Sequence, residues 1–273
     1  MFQRYLDQVR TCRPRIHCIT NYVTANDCAN ILLACGASPI MADDPAEAEE
    51  ITSICQGLEL NMGTLSEGHI RAMLMAGKRA NQLSIPVILD PVGMGASRFR
   101  RDAAKQLLDN LQIAVIRGNL SEVRALATDR QNQGGVDVQS GDRITGNNLS
   151  EIAEFAKRFA ADTGAVIAIT GETDVVADSR QAWGIFNGHP MMSRVTGTGC
   201  QLSALTAAFA AANPENILEA AAAAVCVMGV CGEQASKRLA PAEGTMTYRN
   251  YIIDAVSLLD GKSLEKYEKC RIL

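Results

Sequence analysis

Short apolar runs bounded by turn residues recur at positions 16–20, 38–42, 58–62, 86–89, 113–116 and 166–170. Between them lie longer segments, 22–35, 45–56, 67–83, 102–110 and 149–161, whose apolar residues fall near i, i+3, i+4 spacing. The first set reads as strands and the second as helices. Strands that are apolar along their whole length have both faces covered. The alternation therefore predicts an α/β fold with a mostly parallel sheet and helices on both faces. After Thr170 the pattern changes. Residues 174–177 and 182–186, joined by Asp178-Ser179-Arg180-Gln181, predict an antiparallel hairpin at the sheet edge. Residues 198–259 read as three helices, with breaks at Asn213-Pro214 and at 241–244. The polar, glycine-containing stretch 128–148 is expected to be a surface excursion. With no repeat or flexible linker in the pattern, a single domain over residues 1–273 is expected.

Composition narrows the class. The 273 residues are 47% hydrophobic and 21% charged, which excludes disordered and collagen-like chains. Only 4% are aromatic, so alanine and small aliphatic residues must fill a closely packed, helix-rich core. The net charge of 26 − 30 = −4 comes without a Lys/Arg cluster, which argues against a nucleic-acid partner. No membrane association is expected: the most apolar stretch, 217–228, is short of a span and is closed by Gly229 and Gly232. The first fourteen residues carry Arg4, Asp7, Arg10 and Arg13 without an apolar core, unlike a secretory signal. Nine scattered cysteines, none in a C-x-x-C pair, with three histidines, match neither a zinc site nor a disulfide framework. Reduced thiols in a cytoplasmic protein are expected.

In open α/β sheets ligands bind beyond the carboxyl ends of the strands. Here those ends are polar: Thr20-Asn21-Tyr22-Val23-Thr24, Met41-Ala42-Asp43-Asp44, Asn61-Met62-Gly63, Asp90-Pro91-Val92-Gly93, Arg117-Gly118-Asn119-Leu120-Ser121-Glu122 and Thr170-Gly171-Glu172. Any one of them is explained as a turn with a helix cap. Six along one edge predict a site. The sharpest local signal is Val195-Thr196-Gly197-Thr198-Gly199-Cys200, two glycines directly before an alanine-rich helix. Such a turn can aim backbone N–H groups and a positive helix end at an anion. It lacks the Gly-Lys-Ser/Thr of a Walker loop and the G-x-G-x-x-G of a dinucleotide site. From these residues alone an anion cradle and a plain helix entry are equally open. Cys200 falls in the first helical turn, where a thiol should have a lowered pKa and can act as a base. The other eight cysteines, His17 and His69 read as packing or structural residues, and His189 as a turn residue.

The run Asn21-Tyr22-Val23-Thr24 with Gly36-Ala37-Ser38-Pro39-Ile40-Met41 resembles the start of the hydroxyethylthiazole kinases of thiamine salvage. Asn61-Met62-Gly63-Thr64, Asp90-Pro91-Val92-Gly93, Arg117-Gly118-Asn119-Leu120-Ser121-Glu122 and Val195-Thr196-Gly197-Thr198-Gly199-Cys200 resemble later motifs of that family, in order. The resemblance implies a ribokinase-like three-layer fold and the reaction of ATP with 4-methyl-5-(2-hydroxyethyl)thiazole to give ADP and the thiazole phosphate. Most kinases of that superfamily carry aspartate where this chain has Cys200, which separates it from hydroxymethylpyrimidine kinases. By the same resemblance Cys200 is catalytic; Asn21, Met41 and Gly197 contact the thiazole; Arg117, Thr170, Thr198 and Gly199 bind ATP; and Asp90 and Glu122 hold Mg²⁺. It further implies a homotrimer with sites between neighbouring subunits. A non-catalytic nucleotide-binding protein that retains the glycine turn is the rival from another class. Two departures from the family pattern stand out, the segment 131–148 beyond Gly135-Val136-Asp137, and Asp178-Ser179 where Asp-Gly is expected.

Overall fold

A computed structural model of the chain describes residues 1–131, 144 and 148–273. Most of the expected excursion at 128–148 therefore lies outside the described residues. The six apolar runs form parallel strands: β1 (Arg15–Ile19), β2 (Ser38–Met41), β3 (Gly57–Asn61), β4 (Val87–Asp90), β5 (Val115–Asn119) and β6 (Val166–Thr170). The predicted hairpin is present as β7 (Asp174–Ala177) and β8 (Ala182–Ile185). Asp178 turns it with its own carboxylate, which accepts from the backbone N–H groups of Arg180 and Gln181, each at 2.7 Å. That Asx turn does the work expected of glycine. The hairpin is not the sheet edge, however. The chain end returns as β9 (Cys270–Ile272) and pairs antiparallel outside β8, giving the order β2-β1-β3-β4-β5-β6-β7-β8-β9.

Strand side chains alternate between two cores. In β4, Ile88 enters one core, while Val87 and Leu89 enter the other. The first face is covered by α1 (Gln3–Cys12), α2 (Ala25–Cys35), α8 (Thr198–Ala212), α9 (Ile217–Arg238), α10 (Thr245–Leu258) and α11 (Gly261–Tyr267). The second is covered by α3 (Ala48–Ser53), α4 (Glu67–Gln82), α5 (Arg98–Asn110), α6 (Leu120–Gln131) and α7 (Leu149–Thr163). Helices on both faces of a mostly parallel sheet are the three-layer arrangement expected.

The alanine-rich helices α8 and α9 are buried along most of their length. By length and composition α9 could cross a membrane, but 78% of its most apolar stretch is buried inside the protein. Gly229 and Gly232, expected to close this run, lie inside the helix, which continues to Arg238. Their purpose is close approach: a Cβ at Gly229 would stand 2.7 Å from the carbonyl oxygen of Asn187, and one at Gly232 would strike the Met192 thioether. At the site end, α2 begins three residues later than its apolar pattern implies. Asn21 folds the chain into a turn there, its Oδ1 accepting from Thr24 N at 3.1 Å.

Candidate active site

The carboxyl ends of β1, β3, β4 and β5 meet the start of α8 around a cleft of about 360 Å³. Sheet register builds its floor. Asn61 stands opposite Asp90 in the β3–β4 ladder, and its Nδ2 donates to Asp90 Oδ2 at 2.9 Å. Asn61 Oδ1 accepts from Asn21 Nδ2 at 3.0 Å and from Gly63 N at 2.9 Å. Asn21 Nδ2 also lies 3.2 Å from Cys200 Sγ. A continuous string thus runs Asp90–Asn61–Asn21–Cys200 across three strands and a helix.

Asp90 Oδ2 additionally accepts from Ser203 Oγ at 2.7 Å and Arg117 Nη1 at 3.3 Å. Its other oxygen, Oδ1, is buried with no hydrogen-bond partner among the described residues. The carboxylate is at the end of its strand, as expected, yet it is wholly buried. Burial pushes its pKa up, and the Arg117 guanidinium opposes that rise. Arg117 reaches further, donating through Nη2 to Thr170 Oγ1 at 2.9 Å. One planar side chain therefore links β4, β5 and β6.

Glu122 closes the other wall. Its Oε1 accepts from Gly93 N at 2.9 Å and its Oε2 from Asn119 N at 3.0 Å, while Asn119 Oδ1 accepts from Glu122 N at 2.9 Å. The last two bonds are a reciprocal cap on α6. Glu122 serves its helix start and faces the cleft as well.

The glycine turn forms the rim. Gly197 has φ +86°, and a Cβ there would lie 2.5 Å from Thr24 Cγ2. A Cβ on Gly199 would lie 2.7 Å from Arg117 Nη1. Both positions therefore need a bare backbone, Gly197 for its left-handed conformation and Gly199 for contact with the guanidinium. The first N–H groups of α8 are brought beside a cation, an arrangement suited to a phosphoryl group.

Cys200 corrects one expectation. Its thiol pKa is raised rather than lowered, chiefly by burial and next by the negative charge of Asp90. The positive helix end is real but weaker than these two effects, because a helix terminus contributes about half a charge and Asp90 a whole one.

The model for the hydroxyethylthiazole kinase family matches residues 6–262. The chain belongs to the hydroxyethylthiazole kinase family. It is 56% identical over 265 residues to the hydroxyethylthiazole kinase of Clostridium acetobutylicum, covering 97% of each chain. The structure of the hydroxyethylthiazole kinase of Pyrococcus horikoshii matches with a TM-score of 0.89 at 33% identity, covering 100% of this chain and 98% of that one. A ribokinase-like superfamily protein from Enterococcus faecalis, 17% identical with a TM-score of 0.60 over 96% of this chain and 89% of that one, shares the fold.

Of the residues expected at the site of this hydroxyethylthiazole kinase family member, Asn21, Asp90, Arg117, Glu122, Gly197, Gly199 and Cys200 line the cleft. Thr170 adjoins it through Arg117, with its hydroxyl also within 3.4 Å of Gly118 O. The Thr198 hydroxyl turns back to Met192 O at 3.3 Å. Met41 is outside the cleft, 40% exposed at the end of β2. Asn61 and Ser203 belong to the floor, and the sequence assigned neither a role, though Asn61 stood among the six polar strand ends. Asn61 carried a signal, since it ends an apolar run as Asp90 does. Ser203 follows Cys200 by about one helical turn, a wholly buried polar residue of α8 like Gln201 and Thr206. Glu59 carried the plainest signal of all, an acid inside a strand. It is wholly buried, within 3.4 Å of the Thr20 hydroxyl, and burial and Asp90 push its pKa well up.

Proposed function

We propose that this cleft performs phosphoryl transfer from ATP to the primary alcohol of 4-methyl-5-(2-hydroxyethyl)thiazole, the reaction for which the family is named. The observation that carries the assignment to this cleft is the convergence of two obligatory glycines, a helix start, a guanidinium and a buried carboxylate on one sheet edge. Phosphoryl transfer needs positioning and charge stabilisation more than covalent chemistry.

The transferring phosphoryl group would rest on the amides of Gly197, Thr198, Gly199 and Cys200. Arg117, already oriented by Asp90 and Thr170, offers the remainder of its donors to the phosphates of ATP. Asn21 would contact the alcohol substrate beside Cys200, and Met41 would reach the thiazole across a subunit boundary in a homotrimer. Asp90 and Glu122 would hold Mg²⁺. Asp90, whose Oδ1 has no hydrogen-bond partner among the described residues, and Glu122 both line the cleft, and two hard carboxylates fit an ion that keeps several waters. When bound, Mg²⁺ supplies neutralisation of phosphate charge.

Cys200 would receive the proton of the attacking hydroxyl as its bond to phosphorus forms. Only the thiolate form of Cys200 can take that proton, and because a loose transition state delays the need until the bond is well advanced, a minor thiolate population suffices. The whole chain would act as one cytoplasmic kinase domain, without a nucleic-acid or membrane partner. Incubating the purified protein with Mg-ATP and either the thiazole alcohol or hydroxymethylpyrimidine, and measuring ADP release, tests the reading. Thiazole-dependent ADP formation is expected. Nucleotide binding without turnover, or turnover with the pyrimidine alone, contradicts it.

A further inference from the structure

The loops after β1, β2 and β3 are tied together by a side chain that the reaction scheme leaves unused. His69, in the first turn of α4, has Nδ1 3.0 Å from the carbonyl oxygen of Thr64 and Nε2 2.9 Å from Asp43 Oδ2. A carbonyl and a carboxylate are both acceptors, and the ring stands between them within hydrogen-bond distance of each. Thr64 lines the cleft, and its hydroxyl accepts the backbone N–H of Tyr22, next to Asn21, at 3.3 Å. One ring therefore connects the loop after β2 to the loop after β3, and through Thr64 to the loop after β1. His17 anchors the same β2 loop from within the sheet, its Nε2 2.8 Å from Ala42 O and its Nδ1 2.9 Å from the Thr52 hydroxyl. Consecutive residues Ala42 and Asp43 are thus each held by a histidine, directly after Met41.

We infer that His69 is a positioning residue for the alcohol substrate, fixing the Asn21–Thr64 rim of the cleft by bridging Asp43 to Thr64. The inference rests on the reading above that Asn21 and Met41 face the thiazole. It separates the two substrates. The residues assigned to ATP and its metal come from β4, β5, β6, α6 and α8, and none of the contacts among them passes through His69. Loosening the β1–β3 rim should fall on the alcohol and spare the nucleotide.

Steady-state kinetics with both substrates varied, on His69→Ala, Asp43→Ala, the double variant and Asn21→Ala, tests this. His69→Ala should raise the KM for the thiazole alcohol by about tenfold, with the KM for ATP and kcat within about threefold of wild type. Asp43 is 61% exposed, so its alanine variant keeps the experiment decisive should His69→Ala fold poorly. Asp43→Ala should raise the same KM by less, because the link to Thr64 survives. The double variant should match His69→Ala, because Asp43 acts only through the ring. A wild-type thiazole KM in Asp43→Ala and His69→Ala, with a raised one in Asn21→Ala, overturns the role of His69. So do equal rises in both KM values, or additive effects in the double variant. An unchanged thiazole KM in Asn21→Ala overturns the placement of the thiazole, and the proposal with it.

Discussion

At Cys200 two opposing influences meet in one thiol. The start of α8 favours a thiolate; burial and Asp90 disfavour it and prevail. Only the thiolate fraction can accept the proton of the attacking hydroxyl, so Cys200 contributes modestly. Cys200→Ala should lower kcat for the thiazole alcohol by about tenfold without abolishing it, and Cys200→Asp should exceed the alanine variant. An aspartate variant slower than alanine would reduce Cys200 to a packing residue. Glu59 gives a second prediction. Its pKa is raised on folding, so the folded state binds a proton that the unfolded chain has already released. Its contribution to stability is therefore lost as pH rises from the ordinary carboxylate range toward its folded value. Glu59→Gln should melt progressively higher than wild type as pH is taken from about 5 to about 9. A gap in Tm that narrows over that range would mean the carboxylate is favoured by its surroundings. Seven cleft residues were legible in the sequence because strand ends and the glycine turn advertise themselves. The roles of Asn61, itself a strand end, and of Ser203 were not, since they depend on the β3–β4 register and on which side of α8 faces Asp90. The direction of the Cys200 shift was hidden for the same reason: helix position is local, burial is tertiary.

The first eight strands were legible to within three residues because buried apolar runs end near Gly, Pro, Asn or Asp. The elements missed have physical reasons. The arginines of α1 drew attention away from Phe2, Tyr5, Leu6 and Val9, which are all buried on one stripe. The strand β9 has three residues and no pattern of its own; its partner β8 makes it a strand. Glycine was misread in α9, where it permits contact rather than ending the helix. Gly229→Ala would drive a methyl group against the Asn187 backbone and should destabilise the fold by about 1–3 kcal/mol in denaturant titrations. A stabilised variant, following helix propensity alone, would show that the contact yields freely.

Beyond the single chain, Tyr22 and Val23 stand 79% and 59% exposed in the loop after β1, where Val23 lines the cleft, with Met41 on the neighbouring strand end. Such side chains suit the proposed boundary between subunits. Light scattering should give a mass close to three times 29.2 kDa, and a monomer mass at assay concentration would remove the cross-subunit role of Met41. The molecule's central device, however, lies within one chain. The parallel sheet brings Asn61, Asp90 and Arg117 to one edge, and α8 supplies the glycine turn, Cys200 and Ser203 from the opposite side. Asp90 is the point on which Asn61, Ser203 and Arg117 converge. Asn keeps its shape while removing the charge. The most direct test is kcat for thiazole-dependent ADP formation in Asp90→Asn, measured beside its Tm. The account predicts a fall of about a hundredfold or more with a Tm within a few degrees of wild type; near-wild-type turnover in the folded variant would contradict it.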